Sequence, residues 1–83
     1  MYSVEISKKA EKYILKQDRV QRTRLMNAIN LISADPSICE ALKNHEFEFK
    51  YRVGDYRILM NIDHSILRIS VAKVLSRGDV YKR

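Results

Sequence analysis

Between Lys50 and Arg57 the chain reads Lys50-Tyr51-Arg52-Val53-Gly54-Asp55-Tyr56-Arg57, cations alternating with apolar residues about a Gly-Asp pair. Gly-Asp between two alternating segments signals a hairpin, because the first turn residue needs a positive φ that glycine adopts at little cost. A two-residue turn pairs Val53 with Tyr56 and sets Arg52 directly across the ladder from Arg57. Like charges opposed in this way repel and cost stability. Two guanidinium groups side by side, with Lys50 on the same face, therefore point to anion binding. A guanidinium offers a planar set of donors matched to phosphate or carboxylate oxygens, and an ammonium adds a point charge.

The strands that position these cations follow from the alternation around them. Phe47, Phe49, Tyr51 and Val53 point one way while Glu48, Lys50 and Arg52 point the other. The next strand runs from Tyr56 to about Asp63, so that Tyr51 meets Ile58, Phe49 meets Met60 and Phe47 meets Ile62. A second turn at His64-Ser65, pairing Asp63 with Ile66, brings Leu67 opposite Ile62, Ile69 opposite Met60 and Val71 opposite Ile58. One face of three strands is then wholly apolar. Its reverse carries Lys50, Arg52, Arg57 and Arg68, with the small or apolar Leu59, Ser70 and Ala72 between them. A solvated face of an antiparallel sheet is polar in any case, and the Arg52–Arg57 pair is what favours a ligand over solvent alone.

Upstream, Tyr2, Val4 and Ile6 alternate with polar residues as a short strand ended by Ser7, a helix N-cap. Lys8 to Gln17 sets Ala10, Tyr13 and Ile14 on one helical face and lysines on the other. Asp18 caps a second helix from Arg19 to about Ala34, in which Leu25, Ile29 and Ile32 recur at helical spacing, and Asp35-Pro36 ends it. Residues 37 to 46 read as a loop with at most one helical turn. The expected fold is α+β, with two N-terminal helices packed on one face of a small, mainly antiparallel four-stranded sheet in the order β-α-α-β-β-β. At 83 residues, 46% hydrophobic and 31% charged, with two Gly and one Pro, residues 1–83 make one globular domain.

The net charge of +6 favours a polyanionic partner. A single cysteine, Cys39, excludes an internal disulfide and suits a reducing cytosol. With no signal peptide and no long apolar run, the expected location is cytoplasmic, away from membranes. His45 and His64 lie far apart, no His, Cys, Asp or Glu spacing suggests a metal, and no cofactor motif is present. The closing segment, Arg77-Gly78-Asp79-Val80-Tyr81-Lys82-Arg83, leaves the last strand near the Gly54-Asp55 end, where Arg77 and Tyr81 can fold back beside Arg52 and Arg57.

Tyr51-Arg52-Val53-Gly54-Asp55-Tyr56-Arg57-Ile58, followed by a hydrophobic strand and Arg77-Gly78-Asp79-Val80-Tyr81, resembles the RelE/ParE superfamily of toxins from type II toxin-antitoxin systems. The similarity spans nearly the whole chain. RelE-like members cleave messenger RNA on the ribosome, whereas ParE-like members inhibit DNA gyrase, and the RelE-like branch is the one favoured here. That branch implies catalytic positions at Lys50, Arg57, Arg77 and Tyr81, with Arg52, Arg68, Lys82 and Arg83 as further RNA contacts. It departs at Glu48, where the best-known RelE pattern has a second lysine, and Arg77 aligns only across a short gap. The resemblance also implies a cognate antitoxin, acidic where it binds, in a toxin–antitoxin hetero-oligomer, with ribosome and messenger RNA as targets.

The expected activity is that of an endoribonuclease, and its chemistry is accessible to cations alone. Metal-free RNA cleavage deprotonates a ribose 2′-hydroxyl, stabilises a pentacoordinate phosphorane and protonates the departing 5′-oxygen. Arg57, with Arg52 and Arg77, suits the scissile phosphate. Tyr81 suits base stacking or proton transfer, and Lys50 is the other candidate for proton transfer. The alternatives are a ParE-like gyrase inhibitor that hydrolyses nothing and a noncatalytic RNA-binding or regulatory module on the same fold.

Overall fold

The computed structural model describes residues 1–76, in the order β1 (Ser3–Ile6), α1 (Lys8–Lys16), α2 (Arg19–Ala34), a 3-10 turn (Pro36–Ile38), β2 (Glu40–Ala41), β3 (Phe49–Val53), β4 (Tyr56–Asp63) and β5 (Arg68–Ser76). Arg77, Tyr81, Lys82 and Arg83 lie outside the described residues. Each helix begins at a capping side chain. Ser7 Oγ accepts from the Ala10 N–H at 3.0 Å and Asp18 Oδ1 from that of Gln21 at 2.9 Å, satisfying donors that a first helical turn leaves unpaired. The second helix stops before Pro36, because the residue preceding a proline is pushed out of the helical region.

The sheet order is β1-β5-β4-β3-β2, antiparallel throughout except for the parallel β1–β5 pair. Both helices cover one face. Ala10, Ile14, Leu25, Ala28, Ile29 and Ile32 meet Ile58, Met60, Ile62, Ile69, Val71 and Val74 in a single buried cluster. Each large aliphatic side chain buried there contributes about 1.5–3 kcal/mol, so this face fixes the register and leaves the other to solvent or ligand. Across the Gly54-Asp55 turn the ladder pairs Val53 with Tyr56, Arg52 with Arg57, Tyr51 with Ile58 and Phe49 with Met60, as the alternation requires. Tyr56 also ties the turn to α1, its hydroxyl donating to Gln17 Oε1 at 2.8 Å while its ring stands edge-on to Tyr13.

Elsewhere the structure departs from expectation for local reasons. Residues 40–41 form a short fifth strand on β3 rather than loop. The Phe47–Ile62 pair does not form: Asn61 Oδ1 accepts the Glu48 N–H at 2.9 Å and Glu48 Oε1 accepts that of Ile62 at 3.4 Å, so side chains close the ladder before Phe49. The second turn holds four residues, His64 to Leu67, and Asp63 pairs with Arg68 instead of Ile66. Asp63 Oδ1 accepts from both the N–H and the hydroxyl of Ser65, at 3.0 and 2.6 Å, which starts an Asx turn that Leu67 completes at φ 52°.

The wider turn sets Ile69 opposite Ile62 and Val71 opposite Met60. A β-bulge then leaves Ala72 unpaired, so Val74 rather than Val71 stands opposite Ile58, and Leu75 rather than Ala72 lies beside Arg57. Strict alternation after Ile69 and Val71 would bury Lys73 and expose Val74. One extra residue reverses that outcome.

Candidate functional site

On the face away from the helices, the corrected register aligns the cations in two rows. Lys50, Leu59 and Lys73 are successive partners across β3, β4 and β5, and Arg52, Arg57 and Leu75 form the next row towards Gly54. Leu59 is 5% exposed yet lies outside the core cluster. Its ladder neighbours on this face are Lys50 and Lys73, whose aliphatic stems are long enough to cover it. Phe47 joins them, its ring centroid 5.8 Å from Lys73 Nζ.

The short strand β2 adds a carboxylate to the first row. Glu40 is the ladder partner of Lys50, and its Oε2 lies 3.6 Å from Lys50 Nζ. At the other rim, Arg24 reaches from α2 to the Gly54 turn, so closely that a Cβ on Gly54 would stand 2.7 Å from Arg24 Nη2. Neither residue stands out in the sequence as a site position. Arg24 sits at an exposed helical position, and pairing of Glu40 depends on a two-residue strand with no alternation of its own. Lys73 is hidden for a different reason, because parity counted from Val71 sends it to the wrong face. The signal was present as Val74, an aliphatic residue where alternation expects a polar one.

The structure brings Lys50, Arg52 and Arg57 together and separates Arg68 from them. Arg68 pairs with Asp63 across β4–β5, roughly 20 Å along the ladder from Arg57 at strand rise, and its Nη1 lies 3.9 Å from Glu5 Oε1. The same end of the sheet has the opposite polarity. Glu46, Glu48, Asn61, Asp63, His64 and Ser70 line an open cavity of about 470 Å³. Asp63 is held below the usual carboxylate range by the Ser65 hydrogen bonds. Carboxylates thus gather around Arg68 at this end, while Lys50, Arg52 and Arg57 stand together towards the Gly54 end, so charge is spread unevenly along the sheet.

Candidate nucleophile and base chemistry outside the cationic rows is poor. The Cys39 thiol is pushed up to about 11 by burial and then by Asp35, and its Sγ lies 3.7 Å from Met60 Sδ. His64 Nδ1 is 2.7 Å from the Tyr2 hydroxyl, and His45 Nδ1 accepts the Phe47 N–H at 3.1 Å. Among the described residues no group of His, Cys, Asp and Glu is arranged to hold a metal ion, and no helix is long and apolar enough to cross a membrane.

The profile of the family described as the ParE toxin of the type II toxin-antitoxin system parDE matches residues 4–81. The chain belongs to this family. No curated protein matches the sequence. Among solved structures, this ParE-family chain is similar to the archaeal RelE–RelB complex of Pyrococcus horikoshii OT3, with TM-score 0.80 and 20% identity over 93% of this chain and 96% of that one. It is also similar to the toxin–antitoxin complex RelBE2 of Mycobacterium tuberculosis, with TM-score 0.75 and 25% identity over 92% and 98% of the two chains. The isolated RelE toxin of E. coli matches with TM-score 0.78 and 19% identity, over 92% and 84%. The ParE-family toxin described here thus has a RelE-like fold.

Proposed function

We propose that this toxin cleaves messenger RNA in the ribosomal A site by metal-independent attack of a ribose 2′-hydroxyl. The observation that supports this reading is the opposition of Arg52 and Arg57 beside the Lys50 row. The 2′-oxygen loses its proton and bonds to phosphorus as the bond from phosphorus to the 5′-oxygen breaks and that oxygen takes up a proton. The products are a 2′,3′-cyclic phosphate and a 5′-hydroxyl. Arg57, supported by Arg52, grips the scissile phosphate, so its donors already face the oxygens on which charge develops. Lys50 adds positive charge one row away and shares it with Glu40.

The family resemblance adds Arg77 to the phosphate grip and Tyr81 to proton transfer or stacking. Lys82 and Arg83 extend the contacts along the RNA, and Arg68 meets an outlying phosphate. A cognate antitoxin with an acidic toxin-binding segment neutralises the toxin in the cytoplasm by covering the cationic face and the segment from Arg77 to Tyr81.

The test incubates the protein with programmed ribosomes and maps messenger RNA ends. A-site cuts bearing cyclic phosphates are expected, with at least about a hundredfold loss for Arg57→Ala, equivalent to about 2.7 kcal/mol of transition-state stabilisation. Cleavage unaffected by Arg57→Ala removes Arg57 from the site. The match to the ParE family favours a second reading, non-hydrolytic inhibition of DNA gyrase. Intact messenger RNA together with blocked supercoiling selects it.

A further inference from the structure

We propose that Lys73 is a phosphate-contacting residue of the cationic face, the second amine of its first row; the inference rests on the anion-binding reading of that face. The backbone carries the first part of the argument. Counted from Ile69 and Val71, Lys73 would point into the core, and the bulge at Ala72 turns it to the opposite face, across from Leu59. Bulges re-aim side chains in this way beside functional sites.

This bulge is clamped to the start of α1. The Ser7 N–H donates to the Val71 carbonyl at 2.9 Å, and the Ser7 hydroxyl donates to the Ala72 carbonyl at 2.7 Å while the same oxygen caps the helix. The direction of Lys73 is therefore built into the packing of helix on sheet.

Charge carries the second part. Lys50 and Lys73 flank Leu59 on neighbouring strands, each about 4.8 Å away, and Arg57 lies about 7 Å along β4 on the same face. A single phosphodiester over Leu59 and Arg57 is within reach of all three cations. Lys50 already faces the Glu40 carboxylate, whereas Lys73, among the described residues, has no carboxylate partner and lies instead against the Phe47 ring. An aromatic ring orients an ammonium without cancelling its charge. Among the described residues, Lys73 is thus the amine of the row whose charge no carboxylate shares.

The experiment measures binding of a labelled, uncleavable 2′-O-methyl RNA strand across a salt series, alongside cleavage on programmed ribosomes. Lys73→Met keeps an unbranched stem over Leu59 and removes the charge, Lys73→Arg restores the charge, and Lys12→Met removes a lysine from α1. For Lys73→Met the log–log salt slope is expected to shrink by about 0.7, the value of one phosphate contact to a single strand. Cleavage is expected to fall at least tenfold, with Lys73→Arg recovering most of both and thermal unfolding unchanged. An unchanged slope for Lys73→Met overturns the inference, as does an equal change for Lys12→Met or a wild-type protein that binds no RNA. Wild-type binding without cleavage, with the slope still reduced by Lys73→Met, refutes the ribonuclease reading and upholds the Lys73 contact.

Discussion

Arg52 and Arg57 are ladder partners across the Gly54-Asp55 hairpin, two guanidinium groups on neighbouring strands of one face. Directly opposed like charges destabilise a strand pair by about 0.2–1 kcal/mol. Arg52→Thr is expected to raise stability in urea unfolding by an amount in that range while weakening RNA binding. The gain should shrink at 1 M salt, where the Debye length falls to about 3 Å. Destabilisation at both ionic strengths would show that the pair is not repulsive.

Gly54 has φ 57°, and Arg24 occupies the space a side chain would need. Gly54→Ala therefore meets two costs, a left-handed backbone of about 1–2 kcal/mol and a collision with a flexible guanidinium. Adding Arg24→Ala should recover only the collision, leaving the backbone cost in denaturant melts. Complete recovery would place the whole effect in the side-chain contact.

Leu59 behaves as a core residue on a face that lacks helices. Leu59→Ala should cost at least about 2 kcal/mol, against under about 0.5 kcal/mol for a solvated position. Guanidinium unfolding measures the difference, and a value near zero would mean that Lys50, Lys73 and Phe47 do not shield it.

Glu40 partners Lys50 at the surface, where an ion pair contributes at most about 1 kcal/mol. Glu40→Gln should leave thermal stability nearly unchanged and tighten RNA binding, because Lys50 then has no carboxylate beside it. The salt slope should steepen, by up to about 0.7. Weaker binding would show that Glu40 orients Lys50 for the ligand.

For Cys39, burial favours the neutral thiol, with the folded value near 11 above its ordinary one. Alkylation by iodoacetamide at pH 8 should be roughly a hundredfold slower than for an exposed thiol of ordinary pKa. The raised value means that the folded state holds its proton more tightly. The corresponding stability is fully present below the ordinary thiol pKa and is lost as pH rises through about 11. Fast alkylation of folded protein at pH 8 would contradict the burial.

Much of the fold was legible because its signals are short-ranged. Ser7 and Asp18 cap the helices that follow them. Phe49, Tyr51 and Val53 alternate against Ile58 and Met60 closely enough that a one-residue slip would expose the whole apolar face, so the Arg52–Arg57 pairing was readable from the turn outwards. The four-residue turn from His64 to Leu67 was not readable in the same way, and the expected two-residue turn at His64-Ser65 does not form, because the Asp63 side chain offers Ser65 an alternative set of hydrogen bonds.

The sequence by itself determined the helix starts, the hairpin at Gly54 and the convergence of Lys50, Arg52 and Arg57, since capping, turn chemistry and alternation act between residues a few positions apart. Only the tertiary structure decided which other groups join them. The bulge at Ala72 turns Lys73 outward because Val74 must meet the helices. The Glu48–Asn61 hydrogen bond ends the ladder before Phe47, whose ring then lies against Lys73, and β2 carries Glu40 to Lys50. Each of these outcomes depends on competition between segments distant in the chain, in which burial and unpaired backbone donors outweigh local pattern.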